Sequence, residues 1–157
     1  MKTLSTSKGI GGQLTDFRKL SRDSNRIAFI GTAGFCTPFA ELMAFVIRDT
    51  GKDLKFIPDL RLNDARSIVP NACGMQLGEP VDFHADTVVL LGGLAMPKIG
   101  VEPAKMKATV DSILEGSDKK LIVGVCFQSI FQNQQWTDII SFDYIIDADL
   151  TSELKQP

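Results

Sequence analysis

The chain has 157 residues, 17 Lys and Arg against 19 Asp and Glu for a formal net charge of -2, and is 44% hydrophobic and 23% charged. That length suits one domain with a real core, and the balanced charge, with no like-charge run longer than Lys119-Lys120, argues against disorder and against a nucleic-acid binder. Apolar runs such as Val88 to Leu91 are far too short to cross a bilayer, the start MKTLSTSKGIGG has no leader-like apolar core, and Cys36, Cys73 and Cys126 form neither a disulfide framework nor a zinc ribbon, so the expectation is a cytoplasmic protein with reduced thiols.

Residues 1–8 read as a flexible end. Ile10, Leu14, Phe17 and Leu20 then recur at helical spacing and predict a short amphipathic helix. Arg26 to Gly51, RIAFIGTAGFCTPFAELMAFVIRDTG, reads as a buried strand, a glycine-bearing turn and an apolar helix in succession, with Thr37-Pro38 as N-cap and first helical residue and Gly51 as the stop. Leu54 to Ile57 is a second short strand ending at Pro58-Asp59. LRLNDARSIV after it reads as a weak helical segment and PNACGMQLGEP as loop.

Asp86 to Leu91 is continuously apolar beyond its first two residues, as in a central strand covered on both faces, and Gly92-Gly93 ends it. A helix is expected from about Pro103 to Glu115, a fourth strand from Lys120 to Val125, a short helix or turn in FQSIFQNQQW, and a fifth strand from Phe142 to Ile146 that runs into Asp147 to Asp149. The tail 151–157 reads as a second flexible end. This alternation predicts a single α/β domain, a three-layer Rossmann-like sandwich with a mainly parallel five-stranded sheet. Two strand orders remain open. The order 3-2-1-4-5 seats Cys36 beside Cys126, whereas 2-1-3-4-5 places the Gly92-Gly93 turn next to Cys36.

At GFCTPFAEL, GMQLGEP, LLGGLAMP, GVCF and FDYIIDAD the chain resembles a family of uncharacterised archaeal proteins associated with methanogens, over about Gly9 to Asp149. That family carries no assigned activity, so the resemblance supplies no catalytic residues and implies context alone: an anaerobic archaeal cytosol, which suits free thiols, oxygen-sensitive metal chemistry or an unusual cofactor.

In open α/β sheets ligands collect where strands end and helix amino termini present unpaired amides. The residues expected at such a pocket are Gly31, Thr32, Gly34, Phe35 and Thr37 on the first turn, Asp59 after the second strand, Gly92, Gly93 and Lys98 after the third, and Cys126 after the fourth. An anionic or phosphate-bearing small molecule is the expected ligand, although Gly31 and Gly34 form neither GxGxxG nor a P-loop.

Cys36, at a helix start, is the candidate nucleophile or redox centre of an alternative thiol chemistry, with a lowered pKa expected there. It lacks an evident base, because the single histidine, His84, precedes the third strand and belongs to the opposite edge. Cys36, Cys126 and Cys73 as soft-metal ligands, and Asp147 with Asp149 as a hard-cation site, are weaker arrangements. No cofactor is specified by any motif. A third reading is an oligomeric accessory protein without catalysis, its subunit contact made by Phe127, Phe131 and Trp136.

Overall fold

The structure is a computed structural model that describes residues 1–157. Four α-helices, α1 (Gly9–Leu20), α2 (Thr37–Val46), α3 (Pro103–Ile113) and α4 (Ile130–Asn133), accompany seven strands: β1 (Arg26–Gly31), β2 (Asp53–Pro58), β3 (Arg66–Asn71), β4 (Gly74–Pro80), β5 (Thr87–Leu91), β6 (Leu121–Phe127) and β7 (Tyr144–Ala148). All seven join one mixed sheet in the order β4-β3-β2-β1-β5-β6-β7. No helix is long and apolar enough to cross a membrane.

The five expected strands are the parallel ones, β2-β1-β5-β6-β7, in the second of the two orders considered above. The expectation of a five-stranded sheet is corrected by residues 60–80. Instead of a weak helix and a loop, they form one turn of 3-10 helix at Leu62–Asp64 and then the antiparallel hairpin β3-β4, which extends the sheet beyond β2. Local chemistry explains why the hairpin is hard to read. Pro70, Gly74, Gly78 and Pro80 break the β-rich pattern, and prolines are tolerated in strands mainly at sheet edges, where β4 lies. The turn itself is held by a side chain: Asn71 Oδ1 accepts from the Cys73 amide at 2.8 Å, while Asn71 Nδ2 donates to Gln76 Oε1 at 2.9 Å.

Period-two alternation splits the core in two, one cluster on each face of the sheet. Ile27 and Phe29 of β1 point to the side covered by α1 and α2, where Phe17, Ala40, Met43 and Ala44 pack. Ala28 and Ile30 point to the opposite side, under Met106 and Val110 of α3 and Phe131 of α4. Phe17 and Phe29 meet in a tilted aromatic pair with centroids 5.7 Å apart.

Phe131 and Trp136 are 0% and 2% exposed and, with Phe142, fill this second core. Phe127 instead packs on Phe39. The aromatic cluster expected at a subunit contact is therefore largely interior, because β7 begins two residues later than expected and Phe142 folds inward beside Phe131.

At the amino edge of the sheet Lys55 is wholly buried, a feature that its single charge in an apolar stretch does not announce. Its Nζ donates to the carbonyls of Asp82 and His84, both at 2.9 Å, and lies 3.5 and 3.8 Å from Asp53 and Asp82. Buried ammonium groups persist only when so satisfied. The stem of Lys55 thereby pins the segment leading into β5 under the sheet.

Candidate functional site

The carboxyl ends of β1, β2 and β5 bring most of the predicted residues to one place. Because Gly31 pairs with Pro58, Thr32 and Asp59 leave the sheet side by side, and the Asp59 amide donates to the Gly31 carbonyl at 3.0 Å. Asp59 takes a left-handed backbone, φ 52°. That conformation is costly for a residue with a Cβ and is enriched at functional sites. Thr32 Oγ1 and Asp59 Oδ1 are both buried and both lack a hydrogen-bond partner.

Cys36 caps α2, with Thr37 and Pro38 as the first helical residues, so the N-cap falls one position earlier than expected. Its amide donates to the Thr32 carbonyl at 2.8 Å, winding Thr32 to Cys36 into a tight turn. Thr37 Oγ1 does not cap the helix but accepts from the Gly34 amide at 3.1 Å, across that turn. Gly34 itself has φ 79°. The exposed amides of Ala33 and Phe35 find no acceptor within the chain.

The thiol of Cys36 is 2% exposed and fills the gap between the ends of β1 and β5. Two glycines admit it. A Cβ built on Gly31 would collide with the Cys36 Cβ, and one built on Gly93 would stand 2.5 Å from Sγ and 3.1 Å from the Phe35 ring. Burial pushes the Cys36 thiol above its ordinary pKa; hydrogen bonding from the Thr32 and Gly93 backbone and from Thr32's side chain offsets part of the rise, and the Asp59 charge adds to it. The Thr32 hydroxyl lies beside this sulfur without a well-formed hydrogen bond to any group. The lowered pKa expected of Cys36 is thus reversed, because loss of hydration outweighs the amides of the turn.

Cys126 lies against a third glycine, Gly92. A Cβ on Gly92 would come within 2.7 Å of its Cβ, and its side chain belongs to the opposite core from that of Cys36. The thiol donates to Asp147 Oδ1 at 3.4 Å and is pushed up to about 12 by burial and by the negative charge of Asp147. Cys73 is exposed in the β3-β4 turn. The three cysteines do not converge, and no group of three His, Cys, Asp or Glu side chains is placed to hold a metal ion.

Asp147 and Asp149 have another occupation. Asp147 accepts from the Ser129 amide at 3.0 Å and the Ser129 hydroxyl at 2.6 Å, while Asp149 Oδ1 accepts from Gln128 Nε2 at 2.7 Å. Gln128 and Ser129 have φ 51° and 54°. The two carboxylates hold this strained turn between β6 and α4.

Lys98 is exposed and makes no ion pair. His84 lies before β5, at the amino edge, with Nδ1 3.5 Å from Asp82 Oδ1 and its ring stacked on Phe83. No Cys-His dyad forms. Two open surface hollows lie elsewhere: one of about 430 Å³ between the end of α2 and the β3-β4 turn, and one of about 500 Å³ around Leu60 to Asp64 and Phe83.

Comparison with known proteins places the chain in context. It is 45% identical to an uncharacterised protein of Methanocaldococcus jannaschii over 151 residues, covering 94% of this chain and 90% of that one. An uncharacterised protein of Methanothermobacter thermautotrophicus is 38% identical over 150 residues, covering 96% and 95%. The crystal structure of a protein of unknown function from Methanothermobacter thermautotrophicus superposes with a TM-score of 0.92 at 36% identity, over 100% of this chain and 99% of the other. Residues 8–151 match the model of the family described as uncharacterised protein conserved in archaea, DUF2124, and the chain belongs to that family.

Proposed function

We propose that this is a cytoplasmic protein that binds a small polar ligand in a Rossmann-like manner, at the carboxyl edge of the sheet where β1, β2 and β5 end. The reading is carried by Asp59 Oδ1, buried without a partner, beside Thr32 Oγ1, which faces the Cys36 sulfur in poor hydrogen-bond geometry on the adjacent strand end. A buried unpaired polar group costs about 1–3 kcal/mol. An occupant that supplies a hydrogen bond to Asp59 and a better one to Thr32 explains why these groups are kept at the strand ends.

The chemistry of the lining narrows the ligand. An ionised Asp59 offers only acceptors, so the group against it carries N–H or O–H hydrogens. An anionic or phosphate group elsewhere on the same ligand suits the amino end of α2, where the Ala33 and Phe35 amides are free. Cys36, seated against Gly93, supplies a neutral, apolar floor. Thiol catalysis is the weaker reading, because Cys36 is buried with a raised pKa and the one imidazole lies at the other edge.

The experiment is a thermal-shift comparison of wild type, Asp59→Asn and Thr32→Val against nucleotides, amino acids, coenzymes and phosphorylated metabolites. A true ligand raises the wild-type melting temperature by mass action, and the shift shrinks in both variants. Equal shifts in all three proteins, or no shift with any compound, would overturn the reading.

A further inference from the structure

Phe35 stands in the tight turn from Thr32 to Cys36 and is 59% exposed, more than any other Phe, Tyr or Trp of the chain. Single exposed apolar side chains are commonplace on protein surfaces. Phe35 differs in being held in place. Next to the Cys36 sulfur, the atoms nearest a Cβ built on Gly93 are Cδ1 and Cε1 of the Phe35 ring, at 3.1 and 3.5 Å. Gly93 does not have a positive φ, so turn geometry does not account for its missing side chain. The close approach of the sulfur and the ring does. One edge of the ring is thus seated on the end of β5 while much of the ring is left to water.

The order β2-β1-β5 sets Asp59 past the end of β2 and Gly93 just past the end of β5, with Thr32 and the Cys36 sulfur between them. Two strand spacings, roughly 10 Å, separate the outer pair. We propose that the ligand of this crevice carries a planar heteroaromatic ring that stacks on Phe35, joined to a hydroxyl- or amino-bearing unit that reaches Asp59, as in a nucleoside or nucleotide. The proposal rests on the reading that Asp59 and Thr32 bind a small ligand, and adds the ring to it.

The chemistry of the three positions calls for three parts of one molecule. An ionised carboxylate takes hydrogen-bond donors, which sugar hydroxyls supply. The free amides of Ala33 and Phe35 suit a phosphate on the same sugar. A fixed phenyl ring open to water is completed by another flat π system, a contact that tolerates any base because every base has a π face. An amino acid with an aliphatic side chain, or a phosphorylated metabolite without a ring, would answer the polar groups and leave Phe35 in water.

Calorimetric titration of wild type, F35A, F35W and Asp59→Asn tests it, with the monophosphates of adenosine, guanosine, cytidine and uridine and flavin mononucleotide as probes and ribose phosphate as the ringless control. At least one ringed probe is expected to bind wild type about tenfold or more tightly than ribose phosphate, F35A to lose about tenfold of that affinity, and F35W to keep it. F35A is expected to melt close to wild type, since the ring is largely exposed. The indole of F35W is new and open to the ligand, whereas Trp136 is 2% exposed, so the ringed probe is expected to quench F35W fluorescence and leave that of wild type little changed. Ribose phosphate binding as tightly as the nucleotides overturns the proposal. So does an F35A that binds the ringed probe as well as wild type while Asp59→Asn weakens it, an outcome that leaves the crevice reading intact. Absence of binding by every ringed probe overturns it too, and the crevice reading then stands or falls on the thermal shifts given by amino acids and ringless phosphorylated metabolites.

Discussion

Gly93 is the residue against which the Cys36 sulfur rests: a methyl group in its place would stand 2.5 Å from Sγ. Gly93→Ala therefore forces Cys36 or the β5 end to move, and overpacking of this kind typically costs about 1–3 kcal/mol. Urea unfolding of G93A, C36A and the double variant measures the contact. The double variant is expected to be more stable than the sum of the two single losses predicts, since removing the sulfur makes room for the methyl. Strict additivity would show that the clash is relieved by backbone movement elsewhere.

Thiol alkylation separates the cysteines by burial. In the native protein one thiol, Cys73, is expected to react with iodoacetamide at the rate of a free cysteine, and two to react far more slowly. Cys73→Ser removes the fast phase. A fast phase that survives in C73S would show that Cys36 or Cys126 is more accessible and more ionised than its surroundings imply.

Alkaline pH weakens the fold through the two buried thiols. The folded pKa of Cys126 is about 12, against an ordinary value of 9.0, and that of Cys36 is also raised. Between those values the unfolded chain gives up the Cys126 proton and the folded chain keeps it, so stability is intact below pH 9.0 and falls as pH rises toward 12. One such group contributes a slope of about 1.4 kcal/mol per pH unit. Denaturant titrations above pH 9.0 are expected to show a shallower decline in C126A than in wild type, and identical slopes would contradict the burial-driven shift.

Lys55 is a structural cation, and its replacement tests that role. Lys55→Met keeps much of the stem but leaves the Asp82 and His84 carbonyls without their donor. The expected loss is about 2–4 kcal/mol, the range for breaking a buried charged hydrogen-bond set. Hydrogen exchange is expected to rise first at the amides of the segment that leads into β5. A neutral substitution would mean that water satisfies those carbonyls.

The elements with strong local signals were legible in the chain itself. The apolar runs of Ile27 to Ile30 and Val88 to Leu91, the stripe of α1, and the Pro103 start of α3 each state their structure within a few residues, because period, capping chemistry and proline geometry are local properties. So was the shared edge: Thr32, Cys36, Asp59 and Gly93 each follow a parallel strand, and parallel strands share their carboxyl edge.

What the tertiary structure alone decided is everything that depends on which strands are neighbours. The order β2-β1-β5 puts Gly93 rather than Cys126 beside Cys36, and the pleat sends the two cysteines into different cores. Pairing also makes strands of residues 66–80, whose glycines and prolines conceal their pattern, since an edge hairpin draws much of its order from hydrogen bonds to β2. The sign of the Cys36 pKa shift belongs here too. A helix start favours thiolate, but the depth at which that start is buried is set by packing, and at this position desolvation prevails.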